Sequence, residues 1–286
     1  MKASIRFFDL QLKHTFSIAK FSRNSTPIVF VELEQDGITG IGEGSMVPYM
    51  GESPDTANVF FKKINWLLMA SFSGMEEIHQ YLESLSPGNP AVKAAVDLAL
   101  HDLQGKKDGI PCYQMFGADP ENMPVTSYTI GIDTPEILRE KLHDADAFKV
   151  IKMKLGREND EELIRTVREL TDLPLYVDAN QGWNDRKKAI DKIYWLHDQG
   201  VQLIEQPMDK NDLEGNAWLT ERSPVPIIAD EAVQRLANLP DIKGAYHGIN
   251  VKLMKSTGLF EGHKMIVEAK KMKIESWKWM INFVCH

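Results

Sequence analysis

Two cysteines in 286 residues, Cys112 and Cys285, form neither a CxxC pair nor a zinc-ligand pattern, which excludes a disulfide framework and a structural zinc site. They are expected as free thiols in a reducing compartment. No stretch approaches the roughly 18 apolar residues of a membrane span. The opening MKASIRFFDLQLKHTF lacks the continuous apolar core of a signal peptide. Positive charge is scarce too. Lys and Arg number 33 against 41 Asp and Glu, a net charge of −8, which argues against a broad nucleic-acid surface. A locally positive pocket for an anionic substrate remains compatible with that balance. Low-complexity tracts and Pro/Gly/Ser linkers are missing, so the parts of the chain are expected to pack closely in a soluble, cytoplasmic protein.

What is present divides in two. The first third reads as strands followed by helices. SIRFFDLQL and IVFVELEQ are β-rich, and Asp36-Gly37 suits a tight hairpin turn. Helical patterns cover 53–70, 75–85 and 89–107, the last with Pro90 in its first turn. This predicts an α+β module over residues 1–122. From residue 123 to 286 strand and helix patterns alternate. Apolar runs fall at 124–131, 148–156, 173–180, 201–207, 225–231 and 248–254, with amphipathic stretches between most of them. Buried parallel strands separated by helices predict a (β/α)-barrel or a doubly wound sheet.

The segment VIKMKLG places Lys152 and Lys154 on one face of a short apolar strand, where two like charges repel. Their compensation lies in the later strands. Asp178, Glu205, Asp230 and Lys252 follow Lys154 at successive steps of 24, 27, 25 and 22 residues, the length of a βα unit. In a barrel such positions converge at the carboxyl ends of the strands. Three carboxylates meeting there are costly unless they bind a cation. Oxygen ligands without Cys or His favour a hard ion, Mg²⁺ before Mn²⁺. Lys152 and Lys154 approach from one side and Lys252 from the other. Such a site suits removal of a proton next to a carboxylate. A divalent ion and ammonium groups stabilise the enediolate, and a lysine whose pKa is lowered by neighbouring cations acts as base.

Taken singly these pieces mean little. KMK is usually a solvated strand, an Asp at a strand end often caps the next helix, and EQP can simply terminate a strand. GITGIGEG offers GxGxG without a βαβ context and reads as a hairpin of the first module. His14, His79, His101, His143, His197, His247 and His263 have no metal-ligand spacing, and the Met of VKLMK reads as core. The four-step recurrence is what chance does not easily supply.

KMK, DANQGW, IEQP, ADE and NVKLMK, in this order and after AAVDLALHDLQGKKDGIPCYQMFG, resemble the enolase superfamily in its muconate-lactonising-enzyme subgroup. SYTIGIDTPE, VPYMGES and NVKLMKSTG resemble dipeptide epimerases of the L-Ala-D/L-Glu type. The resemblance runs from the first strand to about residue 272. It implies a modified TIM barrel behind an N-terminal capping domain. It also implies Mg²⁺ on Asp178, Glu205 and Asp230, acid/base roles for Lys154 and Lys252, and enediolate stabilisation by Lys152. Loops at 14–24 and 46–53 would close over the dipeptide, with Lys20, Arg23 and Tyr49 as candidate substrate contacts.

The ending ESWKWMINFVCH carries no such resemblance, and the Asp-x-Asp element of the eighth-strand region is missing. A barrel lacking its last strand or strands is therefore expected, as a poor catalyst or an inactive chain. Its WKWMINFV segment would cover the gap or pair with a second copy into a homo-oligomer. The alternatives to a dipeptide epimerase are a cycloisomerase or an o-succinylbenzoate synthase, which use the same lysines, and an inactive homologue kept as a binding module.

Overall fold

In a computed structural model, residues 1–18, 21–46 and 50–282 are described; of Phe21 and residues 275–282 only the backbone is. Three antiparallel strands open the chain: β1 (Lys2–Ile18), β2 (Phe21–Gln35) and β3 (Ile38–Ser45). Asp36 and Gly37 join β2 to β3 with φ of 57° and 80°, the doubly left-handed turn that the pair suits. Helices α1 (Pro54–Lys63), α2 (Trp66–Met69), α3 (Met75–Leu85), α4 (Pro90–Asp108) and α5 (Cys112–Met115) follow.

GITGIGEG is a packing device. Gly40, Gly42 and Gly44 alternate on β3, and a Cβ at any of them would collide with the backbone of Ala99, Ala95 or Ala91 on α4. Small residues on both partners let helix and sheet approach closely, and an apolar core that includes Val29, Val31, Leu33, Phe60 and Val96 forms around that contact. The single helix expected over 53–70 is two. Ile64 turns extended, and Asn65 starts a second helix by accepting the Leu68 N–H at 3.1 Å. A good cap residue outcompeted the continuing apolar period.

The remainder alternates: β4 (Ser127–Ile130), α6 (Pro135–His143), β5 (Val150–Lys154), α7 (Asp160–Leu170), β6 (Leu175–Asp178), α8 (Arg186–Asp198) and β7 (Val201–Glu205). It continues with α9 (Leu213–Arg222), β8 (Ile227–Ala229), α10 (Leu239–Ile242), β9 (Gly248–Lys252), α11 (Leu259–Lys271) and β10 (Glu275–Asn282). Strands β4 to β10 form one parallel sheet in chain order, an incomplete barrel in which β4 and β10 are not paired with each other among the described residues. The segment after residue 272 thus supplies a seventh strand, parallel to β9.

The two faces of these strands explain where the site lies. Ile151, Met153, Val177, Ile204, Ile227, Ala229, Ile249 and Val251 point outward into the core under the helices. On the inner face Val150, Tyr176, Leu203 and Ile228 pack as one apolar layer. Two residues further along each of β5 to β8 stand Lys152, Asp178, Glu205 and Asp230, as the period of a strand requires. The first sheet docks at the same end. Ile132 N–H donates to Ser17 O at 2.9 Å, Arg157 Nη2 to Ile18 O at 2.9 Å, and Lys141 Nζ to Thr15 O at 3.3 Å.

Candidate active site

The register sets the heights of the polar residues. Lys154 pairs with Asp178, and Asp178 with Glu205, across adjacent parallel strands. Asp230 follows the last residue of β8, and Lys252 ends β9. All six side chains named from the spacing therefore meet at one end of the sheet. Asp178 and Glu205 are fully buried and Asp230 nearly so. Each offers one oxygen within 4.8 Å of the others.

Lysines surround the acids. Lys152 Nζ lies 2.6 Å from Glu205 Oε2 and 3.1 Å from Asp178 Oδ2, and Lys154 Nζ lies 2.5 Å from the same Asp178 oxygen. From the far side Lys252 Nζ donates to Asp230 Oδ2 at 2.6 Å. The three carboxylate strands stand between Lys154 on β5 and Lys252 on β9.

Burial and charge pull these groups in different directions. Burial pushes Glu205 up, to about 8, with Asp178 adding to the rise against the pull of Lys152. Glu231 moves up for the same reasons, burial first and then Asp230. Asp178 and Asp230 stay below the usual carboxylate range, because their lysines outweigh the burial. Burial also opposes charge on Lys152, but Glu205 and Asp178 hold its pKa high. Lys154 goes the other way, lowered by burial with help from Lys152 and Lys252.

The donor set fits a hard divalent cation. An octahedral magnesium ion takes its oxygens at about 2.1 Å, which puts neighbouring ligands about 3 Å apart, so these three would draw together around one. Three buried acceptors, Asn180 Oδ1, Asn250 Oδ1 and Glu231 Oε2, lack a hydrogen-bond donor. Magnesium keeps several waters when bound, and such waters would be available as donors to a polar surround of this kind.

Other residues escaped the sequence reading. Lys255, 5% exposed, donates to Asp230 Oδ1 at 2.8 Å. Asn250 Nδ2 donates to Glu205 Oε1 at 3.0 Å. Gln206, the residue after Glu205, accepts from the N–H groups of Asp230 and Ala232 at 3.0 Å each. It also donates to Tyr246 Oη at 2.7 Å and to Met208 O at 3.1 Å. Three of these strand-end residues, Asn180, Gln181 and Gln206, have positive φ (44°, 63° and 39°), a strained backbone gathered at the site.

The candidate substrate contacts are placed less fully. Lys20 and Tyr49 lie outside the described residues, as does Cys285, while Cys112 is a free thiol. Arg23 stands on β2 with its guanidinium 5.6 Å from the ring of Phe16, its cross-strand partner. None of the described helices is long and apolar enough to cross a membrane.

Residues 2–117 match the family model of the mandelate racemase / muconate lactonizing enzyme N-terminal domain, and residues 137–286 match that of the enolase C-terminal domain-like family. The second match extends past residue 272, where the sequence motifs gave out. An L-Ala-D/L-Glu epimerase of Bacteroides thetaiotaomicron is 49% identical over 270 residues, covering 94% of this chain and 70% of that protein. An L-Ala-D/L-amino acid epimerase of Pedosphaera parvula is 34% identical over 94% of this chain and 79% of its own length. Among solved structures, a dipeptide epimerase of Enterococcus faecalis in complex with Mg and the dipeptide L-Leu-L-Tyr superposes with a TM-score of 0.86 at 32% identity, over 96% of this chain and 80% of that one. With both halves matched and the carboxylate cluster in place, the chain belongs to the mandelate racemase/muconate-lactonising-enzyme subgroup of the enolase superfamily.

Proposed function

We propose that the protein is a magnesium-dependent epimerase of dipeptides of the L-Ala-D/L-Glu type. The observation that carries this reading is the pair of lysines, Lys154 buried and Lys252 half-buried, on opposite sides of Asp178, Glu205 and Asp230. The three carboxylates would hold the ion, which supplies Lewis-acid stabilisation to a substrate carboxylate.

The rest of the chemistry belongs to the chain. One lysine takes the α-proton and the other returns a proton to the opposite face, so the configuration inverts. Removing the proton leaves an enediolate with its charge on two oxygens, and Lys152 adds positive charge beside them. A base must be neutral to accept a proton. The lowered pKa of Lys154 moves it toward that state near neutral pH. Counted in their ionised forms, Asp178, Glu205, Asp230 and Glu231 are equal in number to Lys152, Lys154, Lys252 and Lys255. Burial pushes Glu205 and Glu231 up without an ion, and a bound divalent ion would favour their charged forms.

The dipeptide class is supported by the epimerase relatives at 49% and 34% identity. Lys20, Arg23 and Tyr49 remain the proposed substrate contacts. A small soluble substrate also suits a cytoplasmic enzyme without nucleic-acid or membrane partners. The test is incubation with L-Ala-L-Glu and Mg²⁺ in D₂O, followed by proton NMR, beside a panel holding a muconate and the o-succinylbenzoate synthase substrate. Conversion to L-Ala-D-Glu with deuterium at the α-carbon, abolished by a chelator, is expected. Turnover of a panel compound without any dipeptide turnover would sink the assignment.

A further inference from the structure

The loop that carries Lys252 and Lys255 ends against a helix of the first module. The first N–H groups of a helix have no partner within it. At the start of α11 that partner is Asp97 of α4, 162 residues away. Leu259 N–H donates to Asp97 Oδ2 at 2.6 Å, and Phe260 N–H reaches both carboxylate oxygens at 3.4 Å. Asp97 is 3% exposed. It is held from behind by His101, whose Nδ1 lies 2.9 Å from the Asp97 carbonyl and 3.2 Å from Oδ2. Gly258 has φ 119°, and a Cβ there would overlap the Asp97 carboxylate.

Between Lys252 and Gly258 the chain is tightly wound. Lys255 and Ser256 N–H donate to Lys252 O at 2.8 and 3.0 Å, and Gly258 N–H donates to Leu253 O at 2.9 Å. A constraint on Gly258 and Leu259 is therefore passed to both lysines, which converge on Asp230 at 2.6 and 2.8 Å. Another contact from the first module reinforces the loop, Ser45 N–H on Met254 Sδ at 3.3 Å. The opposite side of the site is built differently. The turn after Lys154 is tied by Asp160, which accepts from Gly156 and Arg157 N–H at 2.8 and 2.9 Å within the barrel. Arg157 reaches Ile18 O of the first sheet through its side chain and not through the backbone of the turn.

We propose that Asp97 is a positioning residue for the Lys252 side of the site. It sets the height of the 253–258 loop from outside the barrel, so the Asp97 contact aims one of the two acid/base lysines and does not reach the turn that follows the other. Asp97 touches no reacting atom. The inference rests on the two-lysine epimerase reading, and it predicts an asymmetry that a general stabilising role does not.

Asp97→Ala removes the cap, whereas Asp97→Asn keeps an acceptor of the same shape. Exchange of the α-proton into D₂O is measured separately on L-Ala-L-Glu and L-Ala-D-Glu with Mg²⁺ present. Asp97→Ala is expected to slow one epimer at least about tenfold more than the other, the same epimer that Lys252→Ala loses, with Asp97→Asn recovering most of that rate. Equal slowing of both epimers, or no slowing, overturns the proposal. A second readout needs no activity. By hydrogen–deuterium exchange of the metal-free protein, Asp97→Ala is expected to deprotect 252–260 while 150–156 keeps its wild-type protection. Should the wild type turn over no dipeptide, the functional reading fails and this readout decides the coupling alone. Selective loss of protection then supports it, and unchanged protection of 252–260 overturns it.

Discussion

Replacing Gln206 with leucine tests how the site is held together. Gln206 is fully buried at the end of β7 and ties together three segments: the start of the Asp230 loop, the Met208 carbonyl and Tyr246. Leucine has a similar size but no polar atoms, so Gln206→Leu leaves little cavity and removes four hydrogen bonds at once. Each is worth about 1 kcal/mol net, and the N–H groups of Asp230 and Ala232, with no water to replace their acceptor, add a desolvation cost. A total loss of about 3–5 kcal/mol is expected. The assay is urea unfolding of wild type and variant, with linear extrapolation of the free energy. Because two of the four bonds fix the backbone of the 230–232 segment, one of them at Asp230 itself, Mg²⁺ affinity by isothermal titration is expected to fall at least about tenfold, some 1.4 kcal/mol. A variant that loses under about 1 kcal/mol of stability and binds Mg²⁺ as tightly as wild type would refute the claim that this glutamine positions a ligand.

Two further predictions concern charge. Burial opposes ionisation of Glu261, yet hydrogen bonds from His79, Arg235 and the Leu236 N–H hold its pKa down, from an ordinary 4.5 to about 2. A depressed carboxyl stabilises the fold above its unfolded value and loses that effect as pH falls through the folded one. Glu261→Gln is therefore expected to cost about 3 kcal/mol at pH 7, a difference that shrinks between pH 4.5 and 2 in urea melts at stepped pH. An undiminished difference at pH 2 would contradict the assignment. Asp230→Asn, which removes one of the three converging carboxylates, is expected to weaken Mg²⁺ by at least about tenfold in isothermal titration; equal affinity would remove Asp230 from the ligand set.

Much of the site was legible because a strand has period two and a βα unit has a nearly constant length. Lys154, Asp178, Glu205, Asp230 and Lys252 therefore fall at matching heights from their spacing alone. The residues that escaped the sequence are those whose meaning depends on a neighbour in space. Gln206 follows Glu205 in sequence, but its side chain acts on a loop 24 residues later. Asp97 sits mid-helix in an Ala-rich stretch, and its partners are 162 and 163 residues away. Lys255 reads as one more polar residue in VKLMK until the loop folds back onto Asp230. The break at Ile64 shows the same limit locally, since a capping asparagine ended a helix that the apolar period would have continued.

In the proposed mechanism Lys154 and Lys252 work on opposite faces of one α-carbon. This is tested most directly by α-proton exchange in D₂O with Lys154→Ala and Lys252→Ala, each given L-Ala-L-Glu and L-Ala-D-Glu separately. Both variants are expected to lose epimerisation, while each still exchanges the α-proton of one epimer, a different one in the two cases. Full epimerisation by either variant would contradict the account.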